Sequence, residues 1–457
     1  MKERRSCLAN AARAQCCIIL LLTISRATLA GGVDSLSDDG SRGSPDSSQP
    51  YLTLAYDPNF LERAGTENIL TVHYGIARVE DKFIGTRWFS ESTPLGKIGG
   101  LLLRSAKTAY LDLPLDAFSY LLAHEYFGHG SRFRELTDSE VKCHLILPIY
   151  ETGPLWTYAV GSVPLSYQGV LAVREGGIEA QVLLNRDIAL DWMTTGETHY
   201  RDASLYSFSF WNYFSSELRT PDDEPFNFIP DDPGGYIREL NRQAGFTDMN
   251  HLKMSVRSYH DRMALNILNP FFFYSAYCFV KTYLWDGDAV SMLPIVHIGS
   301  VRYLPSVKTA MTPFGLEYHL ENYLRFANTT SLVDLRVGDR TFYTSWGGLG
   351  ASFRNIASWD RLSADLNVDT WKQPKIMVSG TQVIWSLHSI SYLGTPGDWS
   401  GGGFGGAVSL RAYYNFADPD IPIAAMAELG YKSVGFLEGY SLDASPIVMV
   451  GIAYRPK

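Results

Sequence analysis

Hydrophobic positions along this chain follow two different periods. From Tyr51 to about Asp288 they recur mostly at helical intervals, and from about Pro294 they recur at every second residue. In the first half, Leu115, Phe118, Leu121 and Leu122 form an apolar stripe that predicts a helix with one buried face. Asp112 suits the cap of that helix, Pro114 its first turn and Asp116 the positive end of its dipole. A second helix is predicted from about Gln168 to Trp192, where Val170, Val173, Ile178, Leu183, Leu184 and Ile188 recur at roughly helical spacing. An early strand is expected over Ile69 to Ile76, and an acidic, Pro-rich loop runs from Thr220 to Gly235. The apolar stretch from Leu265 to Trp285 reads as a helix buried in this half, because Pro270 breaks a length already short for a membrane span.

The second half alternates. Leu316, Tyr318, Leu320, Leu324 and Phe326 interleave with Glu317, His319, Glu321, Tyr323 and Arg325. Leu362, Ala364, Leu366 and Val368 interleave with Ser363, Asp365, Asn367 and Asp369, and Val408, Leu410 and Ala412 with Ser409, Arg411 and Tyr413. Ile447 to Tyr454 predicts a last strand. The alternation rule yields roughly eight to ten strands in an antiparallel meander. Strands of about 9 to 11 residues, apolar on one face and polar on the other, are those of transmembrane barrels, and closure removes exposed edges. In this pattern the segment resembles an outer-membrane β-barrel, although the chain ends Tyr454-Arg455-Pro456-Lys457 rather than on an aromatic residue. The alternative is a soluble barrel or sandwich whose core is the apolar face. The expected fold class is therefore α+β, a mainly helical domain over residues 51–290 followed by an antiparallel β-barrel over 291–457.

The N-terminal residues add a destination. Lys2, Arg4, Arg5 and Arg13 precede a short apolar run from Cys16 to Ile24, and Ala27-Thr28-Leu29-Ala30 offers small residues for cleavage. Residues 1–30 thus read as an export signal and the Gly-, Ser- and Asp-rich residues 31–50 as a disordered linker. Cleavage would remove Lys2, Arg4, Arg5, Arg13, Arg26 and Glu3 and shift the formal charge from -9 to -13. An acidic chain of this kind argues against a nucleic-acid partner. Only Cys143 and Cys278 would remain, too few for a disulfide framework, and Cys278 lies in an apolar run as a buried free thiol would.

Chemistry concentrates in two segments, His124-Glu125-Tyr126-Phe127-Gly128-His129-Gly130 and, about 45 residues on, Arg174-Glu175-Gly176-Gly177-Ile178-Glu179-Ala180. Two imidazoles, a ligand carboxylate and a base carboxylate are the parts of a catalytic zinc site. The histidines are five apart, which a regular helix would separate by about 140°. A π-bulge absorbs the extra residue, and Gly128 is the residue type that best accepts a distorted backbone. Glu175 and Glu179 are four apart and share a helical face, so one can bind the metal while the other orients a ligand histidine. His199, Tyr200, Tyr259 and His260 are candidates to stabilise an oxyanion.

The segment from His124 to Ser131 resembles the HExxGH motif of the dipeptidyl peptidase III metallopeptidases, and the later Glu-Gly segment is similar to the third-ligand segment of gluzincin peptidases. That resemblance implies that His124, His129 and Glu175 bind zinc and that Glu125 is the general base; Glu179, on the same helical face as Glu175, is the outer partner or alternative ligand. The function expected is an exported zinc-dependent peptidase of the outer membrane or periplasm acting on peptide or protein substrates. Two alternatives are an outer-membrane barrel for transport or adhesion with a non-catalytic, metal-like helical domain, and a zinc hydrolase acting on a non-peptide amide or ester.

Overall fold

Helices crowd the first part of the chain and one large sheet takes up the rest. The computed structural model describes residues 52–59, 61–89, 93–137, 140–144, 156–160, 165–220, 231–246, 252–343, 347–359, 362–373, 403–416 and 423–454. The expected export signal and linker lie outside these residues.

After β1 (Leu52–Tyr56) come α1 (Glu62–Phe83) and α2 (Pro94–Lys107). The strand expected over Ile69 to Ile76 is instead the middle of α1, where Ile69, Leu70, His73 and Ala77 recur every three or four residues and are buried. Asp112 does not cap α3 (Leu113–Leu121). It belongs to the preceding π-helical turn, Thr108–Asp112, and its buried carboxylate accepts from Lys107 Nζ (2.7 Å) and Arg201 Nη1 (3.1 Å). α3 runs directly into a π-helix, Leu122–His129, and then α4 (Gly130–Leu136). A hairpin of β2 (Glu140–His144) and β3 (Trp156–Val160) follows.

The longest helix is α5 (Tyr167–Thr195), capped by Ser166, whose hydroxyl accepts from Gly169 N, and ended by Gly196 at φ 78°. Leu171, Leu184, Ile188, Trp192 and Met193 are buried along it. Beyond the short strand β4 (Glu197–His199) come α6 (Tyr200–Glu217), α7 (Asp232–Gln243), α8 (Val256–Met263) and α9 (Pro270–Tyr277). Pro270 starts α9 rather than lying inside a helix, and a π-helix, Cys278–Asp286, continues it. Only one side of this apolar stretch is buried, through Phe271, Phe272, Tyr274 and Cys278, whereas Phe273, Tyr277 and Trp285 are exposed. No single described helix is long and apolar enough to cross a membrane.

β5 (Val290–Met292) pairs with β4. β6 (Val296–Ile298), β7 (Val301–Thr312), β8 (Gly315–Phe326), β9 (Thr329–Gly338), β10 (Leu349–Ser358), β11 (Leu362–Gln373), β12 (Gly403–Asn415), β13 (Ile423–Lys432) and β14 (Ser445–Tyr454) form one antiparallel meander. β1 joins it on the outer side of β14, with Leu54 opposite Ile452, to make a sheet of 10 strands. The fold is α+β. The expected closure into a barrel is not made by strand pairing among the described residues, because β1 and β6 stand at the two ends of the strand order. The expected parts 51–290 and 291–457 lie within one compact unit, Ser47–Lys457.

The sheet is polar towards the helices and apolar away from them. Lys308, His319, Asp334, Asp365, Arg411 and Glu428 are buried, while their neighbours Leu320, Leu335, Leu366, Leu410 and Leu429 are exposed. Ion pairs join the inner face to the helices: Arg411 to Glu67 (2.6 Å), Glu428 to Arg63 (3.0 Å), Arg354 to Asp187 (2.9 Å) and Glu321 to Arg186 (3.0 Å). Buried charges persist only when paired in this way.

Candidate metal centre

The π-helix brings the two histidines together. Its hydrogen bonds run from i to i+5, so residues five apart lie on one face, as residues four apart do in an α-helix. His124 Nε2 and His129 Nε2 are accordingly 3.1 Å apart. The expected single bulge is a whole π-helical segment of eight residues. Gly128 serves a different purpose from the one expected. A Cβ there would meet the Gly176 carbonyl oxygen at 2.5 Å, so its missing side chain permits close contact with α5. Gly177 does the same for the imidazoles, since a Cβ there would lie 2.5 Å from His124 Cε1 and 2.7 Å from His129 Nε2.

The third group is Asp232, at the start of α7. Its Oδ2 lies 3.2 Å from His124 Nε2 and 3.0 Å from His129 Nε2. Its other oxygen, Oδ1, is 3.4 Å from Arg174 Nη1. Asp231 caps α7 by accepting from Gly234 N, and the next residue is thereby set at the helix start facing the histidines. Asp232 falls in the acidic, Pro-rich stretch visible in the sequence, where the Asp231-Asp232-Pro233 helix start was the available signal.

Both imidazoles are oriented from behind. His124 Nδ1 lies 2.9 Å from Gln181 Oε1, and His129 Nδ1 lies 2.5 Å from the Val173 carbonyl. Each Nδ1 is therefore assigned as a donor, which leaves Nε2, the atom that faces Asp232, as the one each ring can offer to a metal. Three ligand atoms 3.0–3.2 Å apart match the edges of a tetrahedron around zinc, about 3.3 Å for bonds of about 2.0–2.1 Å. Their electrostatics also call for a cation. Burial opposes charge on His129, but the Asp232 carboxylate outweighs it and raises the imidazole to about 9. Burial likewise opposes charge on Asp232, and His129 outweighs it, holding the carboxyl far below the usual range. A proton on His129 answers that field, and a divalent ion displaces such protons when it binds.

Glu175 and Glu179 do not take part. On α5 the histidines are met by Val173, Gly177 and Gln181, one face at four-residue spacing. Glu175 lies two residues from Gly177, about 200° round the helix, and so faces the other way. Burial, with Glu179 beside it, holds the Glu175 carboxyl well above its ordinary value. Glu179 is ion-paired with Arg132 (2.5 Å) and accepts from Gly439 N (2.6 Å). The same Arg132 reaches Glu62 (3.4 Å) and Glu135 (3.1 Å). Asp232 rather than Glu175 converges with the two histidines among the described residues, Glu179 is committed to Arg132 and Gly439 N rather than to a histidine, and Gln181 and Val173 orient the imidazoles.

Glu125 is buried beside the pair. Its Oε2 lies 2.8 Å from Thr157 Oγ1 on β3, and Cys143 Sγ is 3.3 Å from the same hydroxyl. Its charge is close enough to favour the protonated form of His129. The expected oxyanion donors are engaged elsewhere. His199 contacts Asp81 (3.2 Å), Tyr200 stacks on Tyr283 at 3.7 Å, and the Tyr259 hydroxyl donates to Met311 Sδ, with His260 packed against the Tyr259 ring. Arg174, partly exposed and beside Asp232, is the cation that sequence reasoning passed over. No family profile matches this chain, and neither does any curated protein or solved structure.

Proposed function

We propose that this chain is an exported, metal-dependent hydrolase, with zinc as the metal and peptide bonds of peptides or envelope proteins as its target. The observation that carries this is the convergence of His124 Nε2, His129 Nε2 and Asp232 Oδ2 at 3.0–3.2 Å, with both Nδ1 atoms held from behind. Two imidazoles and one carboxylate are a zinc-type donor set, and three protein ligands are the number that catalytic zinc sites use. A zinc ion bound there supplies a water acidified towards neutral pH and a Lewis acid for a carbonyl. Glu125, next in sequence to one ligand and beside the other, is suited to take a proton from that water and return it to a leaving amine. Thr157 fixes the Glu125 carboxylate, and Arg174 offers a positive charge at the same site. The likeness to dipeptidyl peptidase III is then limited to the segment from His124 to His129, with Asp232 in place of the Glu175 ligand.

The outer-membrane barrel expectation draws support from the polarity of the sheet. A soluble barrel or sandwich buries its apolar face, whereas here Leu366, Leu410, Leu429, Val450 and Ile452 are exposed and the charged face is buried. Exposed apolar surface on this scale marks a membrane or protein partner. We infer that the strands form a barrel-type wall in an outer membrane with their charged face packed over α5.

Metal content of the purified protein is the first test. Bound zinc in the wild type, lost on His124→Ala, supports the site, and absence of any bound metal in both removes it. Glu125→Gln should retain metal but lower turnover of a peptide library by about 10²–10⁴. Metal retained without hydrolysis of any substrate would favour the second reading, a membrane wall whose helical domain binds metal for structure alone.

A further inference from the structure

An antiparallel sheet in lipid cannot leave its edges open, because unpaired backbone groups in hydrocarbon cost several kcal/mol each. The sheet has two edges, β1 and β6, yet at β1 three outward backbone groups are satisfied by a helix. Asn68 on α1 reaches across with both ends of its amide: Nδ2 donates to the Ala55 carbonyl (2.9 Å) and Oδ1 accepts from Ala55 N (2.7 Å). Thr71 Oγ1, one turn on, donates to the Thr53 carbonyl (2.7 Å). A helix has thus taken the place of the next strand.

From α1 the elements continue to the other edge. The buried Arg104 of α2 donates to the Thr86 carbonyl beyond α1 (3.3 Å) and to the Leu284 carbonyl (3.0 Å) of the π-helix Cys278–Asp286. That π-helix leads through β5 to β6. The contacts thus run from β1 through α1 and α2 to the π-helix, and the chain itself continues from there to β6.

α2 has the same polarity as the strands. In α2 the buried residues are Gly100 and Arg104, while Leu95 (82 %), Ile98 (55 %) and Leu102 (64 %) are exposed. Their spacing of three and four places them on one face. This is the reverse of a helix on a soluble protein, which turns its apolar stripe inwards. α1 is mixed: it exposes Val72, Val79 and Phe83, and it buries Glu62, His73 and Glu80 together with Ile69, Leu70 and Ala77. Tyr277 and Trp285 continue the apolar surface. Charges gather at one end, where Arg87 pairs with Asp288 and Thr86 donates to Gly287, as a rim would require. With 22 and 14 residues, α1 and α2 are about 33 and 21 Å long, comparable with the ~25 Å apolar band of such membranes.

We propose that α1, α2 and the π-helix Cys278–Asp286 form a helical panel that faces lipid acyl chains and closes the wall between β1 and β6. The panel rests on the membrane reading given above, but it is a separate claim, because a sheet could lie in lipid while these helices faced water.

The full chain, reconstituted in phosphatidylethanolamine and phosphatidylcholine vesicles carrying a diazirine on the acyl chain, tests it without any substitution. After photolysis, lipid adducts are mapped by mass spectrometry. Adducts on the α2 peptide with Leu95 and Leu102, comparable in yield with those on the β13 peptide with Leu429 and well above those on α7, support the panel. Adducts on β13 with none on α2 overturn it and leave the sheet in lipid. Adducts on neither overturn the membrane reading and the panel together.

Discussion

His124 and His129 share one centre only because the chain between them is wound as a π-helix. Their Nε2 atoms lie 3.1 Å apart at a five-residue spacing that an α-helix would turn to opposite sides. Deleting Tyr126, which is partly exposed, would leave His-Glu-Phe-Gly-His, the spacing suited to an α-helix. The deletion variant is expected to retain bound metal, whereas an alanine inserted after Tyr126 should abolish it. Metal analysis of both purified proteins checks this, and loss in the deletion variant would mean that the π-helix sets more than the spacing.

The third candidate ligand, Asp232, separates the structure from the sequence motif. Asp232→Ala should weaken metal binding by more than the ~10–100-fold typical of an outer partner. Gln181→Leu, which removes the partner of His124 Nδ1, should fall within that range. Glu175→Gln should leave the affinity unchanged. Competition with a fluorescent chelator measures all three, and a large loss from Glu175→Gln would restore the carboxylate that the helix face excludes.

Gly177 is a contact made by absence. Its Cβ, if added, would lie 2.5–2.7 Å from three imidazole atoms, so at least one ring must move. Gly177→Ala should lower metal affinity at least about tenfold, as misaligned ligands do. An unchanged circular dichroism spectrum in detergent would separate this effect from unfolding.

Glu175 should also leave a mark on stability. Its carboxyl titrates well above the ordinary range because it is buried, with Glu179 close by. The folded state therefore holds a proton that the unfolded state releases near pH 4.3, so stability falls as pH rises above that value, by at most ~1.4 kcal/mol per unit, until the folded carboxyl also ionises. Glu175→Gln should remove this slope and be more stable than wild type at pH 8. Melting curves at pH 5 and pH 8 measure the difference, and equal slopes in both proteins would count against a buried neutral acid.

Much of the architecture was legible in local pattern. The alternation in β8, β11 and β12 marked the strands, and the stripe from Leu115 to Leu122 marked α3. The pattern misled where one signal served two structures. Ile69 to Ile76 contains enough β-branched and aromatic residues to suggest a strand, but its burial repeats at helical spacing. Glu175 and Glu179 had the expected separation of a ligand pair, and separation along a helix says nothing about which way that face points. Asp232 was hidden by distance: more than 100 residues lie between it and His129, and no local rule links them.

The order of amino acids by itself determined most of the element types, the two periods and the pairing of two histidines with Glu125 in one segment, because these depend on neighbours within a few residues. Only the tertiary structure decided which carboxylate completes the centre, which face of α5 meets it, and that α1 substitutes for a strand beside β1. Those outcomes depend on how helices rotate and pack against one another. Packing is set by contacts such as Gly128 on Gly176 and Arg132 on Glu179, between residues far apart in the chain.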